Sequence, residues 1–316
     1  MKKVLFLAAL SAILLQGCAN TSSEAIPYTV DEIAPGVYHI QDCNADNPAG
    51  ETFAEDGTKT HFNNCSDMYL LNGEDKALLI DLSNRIEWAP DAEEALRGII
   101  YDRIDSKDLI ITFTHNHGDH TGMLPAFEKE ERVSFLLPSV DFADMASQFP
   151  SDSYCLYEEG YEFDLGGMKV ATVMVPGHTP GSMVFLLEGS DILFAGDAIG
   201  SGHGVWIFNQ ESFDRYAEGV KHLMEFISDE SNGINPDSLK IYGGHYWQND
   251  WFPELGDEVF GMQYILDMDA LIGQILDGSA ATEPSNLNFG ALDTYFRNGQ
   301  AIIAGNSAFG KEKFGL

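Results

Sequence analysis

Basic residues are scarce in this chain. Its 316 residues include 17 Lys and Arg against 50 Asp and Glu, a formal net charge of −33 at pH 7. A surface of that sign repels phosphate backbones and excludes nucleic acid as a partner. The acidity itself suits solubility or adaptation to salt. Cysteine is also sparse, at 4, and no Cys-x-x-Cys occurs, which removes zinc-ribbon and thioredoxin-type chemistry. Long apolar runs are missing: the stretch Val4 to Leu15 is too short for a comfortable transmembrane helix. There are no internal repeats, no low-complexity segment beyond a short polar tether, and no cofactor-binding motif. At 44% hydrophobic, with 20 Phe and 4 Trp, the chain still has the apolar mass for a sizeable core, as one large domain or two small ones.

What is present begins with a targeting segment. Lys2-Lys3 is a basic lead, Val4 to Leu15 is apolar, and the stretch ends Leu14-Leu15-Gln16-Gly17-Cys18. This ending resembles a bacterial lipobox. The resemblance implies that residues 1–17 are a lipoprotein signal peptide, cleaved before Cys18, and that Cys18 then carries a lipid anchor to the membrane. The expected location is therefore exported, lipid-anchored, and periplasmic or on the bacterial cell surface. Residues 18–28 read as a small-polar tether, and the folded part is expected over residues 29–316, with a helical extension at its carboxyl end. Cys43 and Cys65 bracket a polar insertion. In an oxidising compartment a disulfide closing that loop is expected, which leaves Cys155 as a structural thiol.

Along the folded part, Val37-Tyr38-His39-Ile40 reads as a strand. Met68 to Leu71 and Ala77 to Asp81 read as a hairpin around Asn72-Gly73. Asp91 to Ile100 has helical spacing, and Leu109 to Phe113 is a β-branched, apolar strand. Further strands are expected at Val133 to Leu137, Tyr161 to Phe163, Lys169 to Val175, Ser182 to Leu187, Asp191 to Ala195, Leu239 to Tyr242 and Ala301 to Ala304. Helices are expected from Thr121 onward through Phe127, at Ser139 to Gln148, Ser212 to Ile227 and Asp257 to Leu276.

The chemistry concentrates where strands end. Directly after Phe113 comes Thr114-His115-Asn116-His117-Gly118-Asp119-His120, which crowds imidazoles and a carboxylate into one loop. Such groups are costly to bury without partners. Later strand-end turns each add one polar residue. They are His178 in Pro176-Gly177-His178-Thr179-Pro180-Gly181, Asp197 in Phe194-Ala195-Gly196-Asp197, and His245 in Gly243-Gly244-His245. Asp81 also closes an apolar strand. The segment Gly200 to Trp206 follows Asp197, so His203 and Trp206 are candidate substrate contacts, as are Tyr246 and Trp247 beyond His245.

In this order the residues resemble the metallo-β-lactamase superfamily of dinuclear metallohydrolases. The resemblance runs from about Ile33 to Trp247 as spaced motifs. It implies an α/β fold, the αββα sandwich, with two mixed β-sheets packed together and helices outside. By position it implies a first metal on His115, His117 and His178, a second on Asp119, His120 and His245, and Asp197 bridging them. It also implies Asp119 as the catalytic residue that orients a metal-bridging hydroxide, with Asp81 supporting a ligand from behind. Two Zn2+ suit the His and carboxylate set, as do Fe or Mn.

The expected function is hydrolysis of a small-molecule ester, lactone or thioester, in the glyoxalase II and lactonase-like branch. The branch points differ in places. Asp197 stands where some β-lactamases place a Cys ligand, and Gly200 where lactonases place a Tyr. The alternatives are an iron-dependent persulfide dioxygenase with one metal and a β-lactam hydrolase.

Overall fold

In the computed structural model of the chain, the described residues are 27–48, 50, 52–53, 59–61, 64–145, 149, 154–201, 204–245, 259–285, 287 and 290–310. The expected signal peptide and nearly all of the tether, Cys18 included, lie outside them. No helix among the described residues is long and apolar enough to cross a membrane.

The chain opens with an antiparallel pair, β1 (Tyr28–Ala34) and β2 (Val37–Asp42), which turns at Pro35-Gly36. A small ribbon, β3 (Thr52–Phe53) with β4 (Lys59–His61), lies in the polar insertion. Cys43 and Cys65 flank it, but no disulfide joins them, contrary to expectation. Cys65 is buried, and its sulfur accepts the Ala45 N–H.

The expected hairpin is formed by β5 (Asp67–Asn72) and β6 (Lys76–Ile80), closed by the Gly73 N–H on the Lys76 carbonyl. Helix α1 (Ala92–Ile104) buries Ala92, Leu96, Ile100 and Ile104. Their four-residue spacing keeps them on one face of a helix. Strand β7 (Asp108–Thr112) then leads into the polar loop and the short helix α2 (Gly118–Thr121).

No regular helix runs from Thr121 to Phe127, and the reason is local. The Gly122 and Met123 N–H groups bond to the carbonyls of Ser83 and Leu82. Backbone donors committed to another segment cannot extend an α-helix. A 3-10 turn at Leu124–Ala126, with Pro125 inside it, completes the stretch.

Next come β8 (Val133–Pro138), α3 (Ser139–Phe142) and β9 (Tyr154–Tyr157). Helix α3 is shorter than the expected span, whose last residues, 146–148, lie outside those described. A second run of strands follows: β10 (Glu162–Asp164), β11 (Lys169–Met174), β12 (Met183–Leu187) and β13 (Ile192–Gly196). After β14 (Val205–Trp206) comes α4 (Gln210–Ser228), capped by the Asn209 side chain on the Ser212 N–H. The remaining elements are β15 (Lys240–Gly243), α5 (Met262–Asp277), β16 (Ala281–Pro284), β17 (Thr294–Asn298) and β18 (Ala301–Gly305).

The strands form a seven-stranded sheet, β1-β2-β5-β6-β7-β8-β9, and a five-stranded sheet, β10-β11-β12-β13-β15. Both are mixed: β6, β7, β8 and β9 run parallel in the first, and β13 and β15 in the second. Their inner faces meet through Tyr69, Leu71, Leu78 and Ile80 on one side and Phe163, Phe185, Leu187 and Phe194 on the other. Helix α1 covers the outer face of the first sheet. Helices α4 and α5 cover the second through Phe213, Tyr216, Val220, Tyr264 and Met268. This is the expected αββα sandwich. The carboxyl-terminal extension is not purely helical. Strands β14-β18-β17-β16 form a four-stranded sheet, and its Phe296, Ala301 and Ile303 join the core of α4 and α5.

Candidate metal centre

Strand direction assembles the site. Strands β6 and β7 are parallel, so Asp81 and the Thr114–His120 loop emerge at the same end of the first sheet. Strands β11 and β13 run the same way, each antiparallel to β12, and β15 is parallel to β13. His178, Asp197 and His245 therefore leave the second sheet at one end too. Functional groups in such sheets gather outside the carboxyl ends of the strands.

The structure brings His115, His117, Asp119, His120, His178, Asp197 and His245 together. They fall into three overlapping sets, His115/His117/His178, His115/His120/Asp197 and Asp119/His120/His245. Within each set the ligand-type atoms all lie within 4.8 Å of one another. Asp197 sits between the groups. Its Oδ2 is 3.4 Å from His178 Nε2 and 3.3 Å from His245 Nε2, while Oδ1 is 3.5 Å from His120 Nε2. Most of these side chains are buried; His117 and Asp119 are half-exposed and mark the open side.

The outer ring nitrogens are anchored to groups that leave the inner ones facing the centre. His120 Nδ1 lies 2.9 Å from Asp81 Oδ2, His178 Nδ1 3.0 Å from the Trp206 carbonyl, and His245 Nδ1 2.6 Å from the Cys65 carbonyl. These partners only accept, so each Nδ1 carries the proton and donates. The Thr114 hydroxyl donates to Asp81 Oδ2 and so is left to accept from His115 Nδ1, 3.0 Å away. In the neutral rings the Nε2 lone pairs then point inward. His115 Nε2 and His120 Nε2 are buried with no hydrogen-bond partner, a costly state unless something else occupies them. His117 turns its Nδ1 toward His178 Nε2 at 2.9 Å, so two ring nitrogens converge on one point. A divalent cation fits this donor set: imidazole nitrogens with carboxylate oxygens, each imidazole backed by a second partner.

Electrostatics divides the imidazoles. Burial pushes His115 well below its ordinary value, helped by His120 and His178 nearby. Burial also lowers His117, and takes His178 down to about 4. A neutral imidazole is the metal-binding form. Burial acts the same way on His245, but the Asp197 and Asp119 carboxylates outweigh it and hold it up at about 9. The same balance, through Asp197 and Asp81, raises His120 well above its ordinary value. Asp197 is driven far down by His245 and His120 despite its burial.

Asp81 has a clear structural task. Its backbone adopts a positive φ of 66°, which turns the carboxylate back under the loop. There it accepts the Thr114 N–H at 2.7 Å and the Thr114 hydroxyl at 2.8 Å, besides facing His120. Gly244 is needed for close approach. A Cβ there would stand 2.4 Å from Asp197 Oδ1 and 2.7 Å from His120 Cε1.

The expected substrate contacts fare differently. The Trp206 carbonyl holds His178, while its half-buried indole packs on the cluster of Tyr295, Ile302 and Ala304 in the third sheet. His203, Tyr246 and Trp247 lie outside the described residues.

Several residues at the site carry no motif signal. Asp141 accepts the Thr179 hydroxyl at 2.6 Å and the Gly181 N–H at 2.7 Å, so it pins the His178 turn. Asn64 donates to Asp119 Oδ2 at 3.0 Å. Phe208 lies 6.2 Å from His178, centroid to centroid. Asp141 lies inside α3, three residues past β8, and like Asn64 and Phe208 it offered no clue of its own.

The sequence profile of the metallo-beta-lactamase superfamily matches residues 66–245, a span that holds every one of the converging side chains. The chain belongs to the metallo-beta-lactamase superfamily. Within that superfamily it is 30% identical over 217 residues to an atrochrysone carboxyl ACP thioesterase of Claviceps purpurea, covering 68% of this chain and 58% of that protein. It is 28% identical over 138 residues to a polyketide-biosynthesis zinc-dependent hydrolase of Bacillus velezensis, covering 43% of this chain and 55% of the relative. The chain thus spans about half the length of the curated relatives it matches. Among solved structures, a metallo-beta-lactamase from Pontibacter korlensis superposes with a TM-score of 0.55 at 16% identity, over 78% of this chain and 99% of the other. At that identity the likeness is one of fold.

Proposed function

We propose that this chain is a metal-dependent hydrolase of a small-molecule ester, lactone or thioester. The carrying observation is the convergence of five imidazoles and two carboxylates on one point, where the buried His115 Nε2 has no hydrogen-bond partner. The relatives named as a thioesterase and a zinc-dependent hydrolase support the acyl chemistry.

In this reading His115, His117 and His178 would hold one zinc ion and Asp119, His120 and His245 a second, with the Asp197 carboxylate lying between the two sets. When bound, such a pair supplies Lewis acidity at a carbonyl and water activated near neutral pH. The chain's own groups do the rest. Asp119, half-exposed on the open side, accepts the proton of the attacking water and orients it. The Asn64 amide donates to one Asp119 oxygen and steadies the carboxylate. Asp81 keeps His120 and the Thr114 backbone in place. Lipidation at Cys18, and hence export, belongs to the same proposal and rests on Leu15-Gln16-Gly17-Cys18.

The test is a panel of chromogenic esters, lactones, thioesters, β-lactams and phosphodiesters offered to the zinc-loaded chain. Elemental analysis accompanies it. The expected result is turnover of an acyl substrate with about two zinc ions per chain. Asp119→Asn should lower kcat at least about a hundredfold with an unchanged circular dichroism spectrum. Tight binding of a single iron with oxygen uptake would overturn the reading.

A further inference from the structure

The cations of this chain are not scattered at random. Residues 133–168, 170–214 and 241–296 contain no Lys or Arg. Those stretches carry His178, Asp197 and His245 and every loop that follows them in sequence. The segment directly after His245 adds Asp250, Glu254, Asp257 and Glu258 but no cation.

The register shows where the cations of the two large sheets stand. Lys76 opens β6 opposite Asp108, Arg132 precedes Val133 opposite Leu109, Lys240 opens β15 opposite Ile192, and Lys169 opens β11 opposite Asp164. All four stand at the strand ends away from the site. A strand of this length spans about 15–17 Å, while the Debye length is about 10 Å at 0.1 M salt. At 0.1 M salt and above their charge is therefore largely screened from the mouth. Arg85, which follows β6 on the site side, is paired with Glu93 at 2.6 Å, and Arg215 near the start of α4 is paired with Glu211. The site end itself carries the carboxylates of Asp81, Asp119, Asp141 and Asp197. These four would balance two divalent cations, and the polar insertion that supplies Asn64 adds one cation in its sequence, Lys59.

We propose that this site admits uncharged or cationic acyl substrates and rejects acyl groups carried on anionic thiols. The excluded class comprises phosphate-bearing carriers, such as coenzyme A or a phosphopantetheinyl protein, and glutathione. The proposal rests on the hydrolase reading and narrows it. The Claviceps relative is named for a carrier-bound acyl group; the charge distribution here favours a free small molecule. Like-charge approach slows encounter and weakens binding, and salt relieves both.

The experiment holds the acyl group constant. Butyryl thioesters of N-acetylcysteamine, thiocholine and coenzyme A are neutral, cationic and anionic, and are offered to the zinc-loaded full chain at about 100 mM and about 1 M salt. At low salt kcat/KM for the coenzyme A ester should fall at least about tenfold below the neutral ester, with the thiocholine ester equal or better. The gap should shrink several-fold at high salt. A coenzyme A ester used as well as the neutral one, or a gap indifferent to salt, overturns the proposal. Turnover of none of the three counts against the thioester arm of the hydrolase reading instead. The charge question is then decided by calorimetry of the three free thiols at both salts, where coenzyme A binding as tightly as thiocholine at low salt overturns it.

Discussion

Asp81 shows how a single residue behind the donor set controls it. It touches no substrate, yet it fixes a histidine ring, a hydroxyl and a backbone N–H in one carboxylate. Replacing it by Asn keeps the volume but turns one acceptor into a donor, which then faces Thr114 or His120. The loss of a group that orients a metal-binding histidine typically costs about 10–100-fold in metal affinity. Asp81→Asn is therefore expected to weaken zinc binding by about that factor, read by chelator competition, with near-native secondary structure. Unchanged zinc affinity would remove Asp81 from this role. Asp81 was legible in the sequence as a strand-end carboxylate. Asn64 was not, because its contact with Asp119 spans 55 positions and comes from a polar insertion without periodicity.

Elements bring their own electrostatics. Strands β2 and β5 are clamped by His39 and Gln41, whose side chains meet Asp67 Oδ1 at 2.9 and 3.0 Å. Burial alone would lower the His39 value, but the Asp67 carboxylate outweighs it and raises it. A raised folded value means the pair contributes fully below the unfolded histidine value, about 6.5, and loses its contribution as pH rises through the folded one. Denaturant melts of the native chain and His39→Gln should accordingly differ most near pH 6 and least near pH 9. A difference that grows with pH would contradict the assignment. Three of the elements that sequence reasoning missed share a trait. Strand β1 has mixed burial without alternation, β16 is exposed throughout, and β14 is a two-residue pair. None carries the apolar periodicity that marked β7 or α4.

At the scale of the whole molecule, the site draws its side chains from both large sheets. Any cation bound there cross-links the first sheet, through His115, His117, Asp119 and His120, to the second, through His178, Asp197 and His245. A ligand at a hundred times its dissociation constant stabilises the folded state by about 2.7 kcal/mol. Chelation should therefore lower the unfolding temperature by about 4–5 °C in differential scanning calorimetry, reversibly on adding zinc. No shift would mean that the donor set is not loaded. The amino-terminal reading is tested in the cell: Cys18→Ser should release the chain from the membrane fraction or block its processing. A variant that remains membrane-bound and normally processed would refute the anchor.

By itself the sequence determined the donor inventory and the order of strands. Ligand loops announce themselves because imidazole and carboxylate groups crowd against apolar strand ends, and a strand's direction is set by what precedes and follows it. It also determined the lack of cations around those loops. Only the tertiary structure decided which carbonyls and hydroxyls hold the outer ring nitrogens, since the Trp206 and Cys65 backbones reach His178 and His245 across 28 and 180 positions. It also decided that Gly122 and Met123 bond to the Ser83 and Leu82 carbonyls and not into a helix, and that the carboxyl-terminal segment closes as a sheet over α4 and α5. Those outcomes depend on backbone groups, which are the same in every residue and carry no signature until the chain has folded around them.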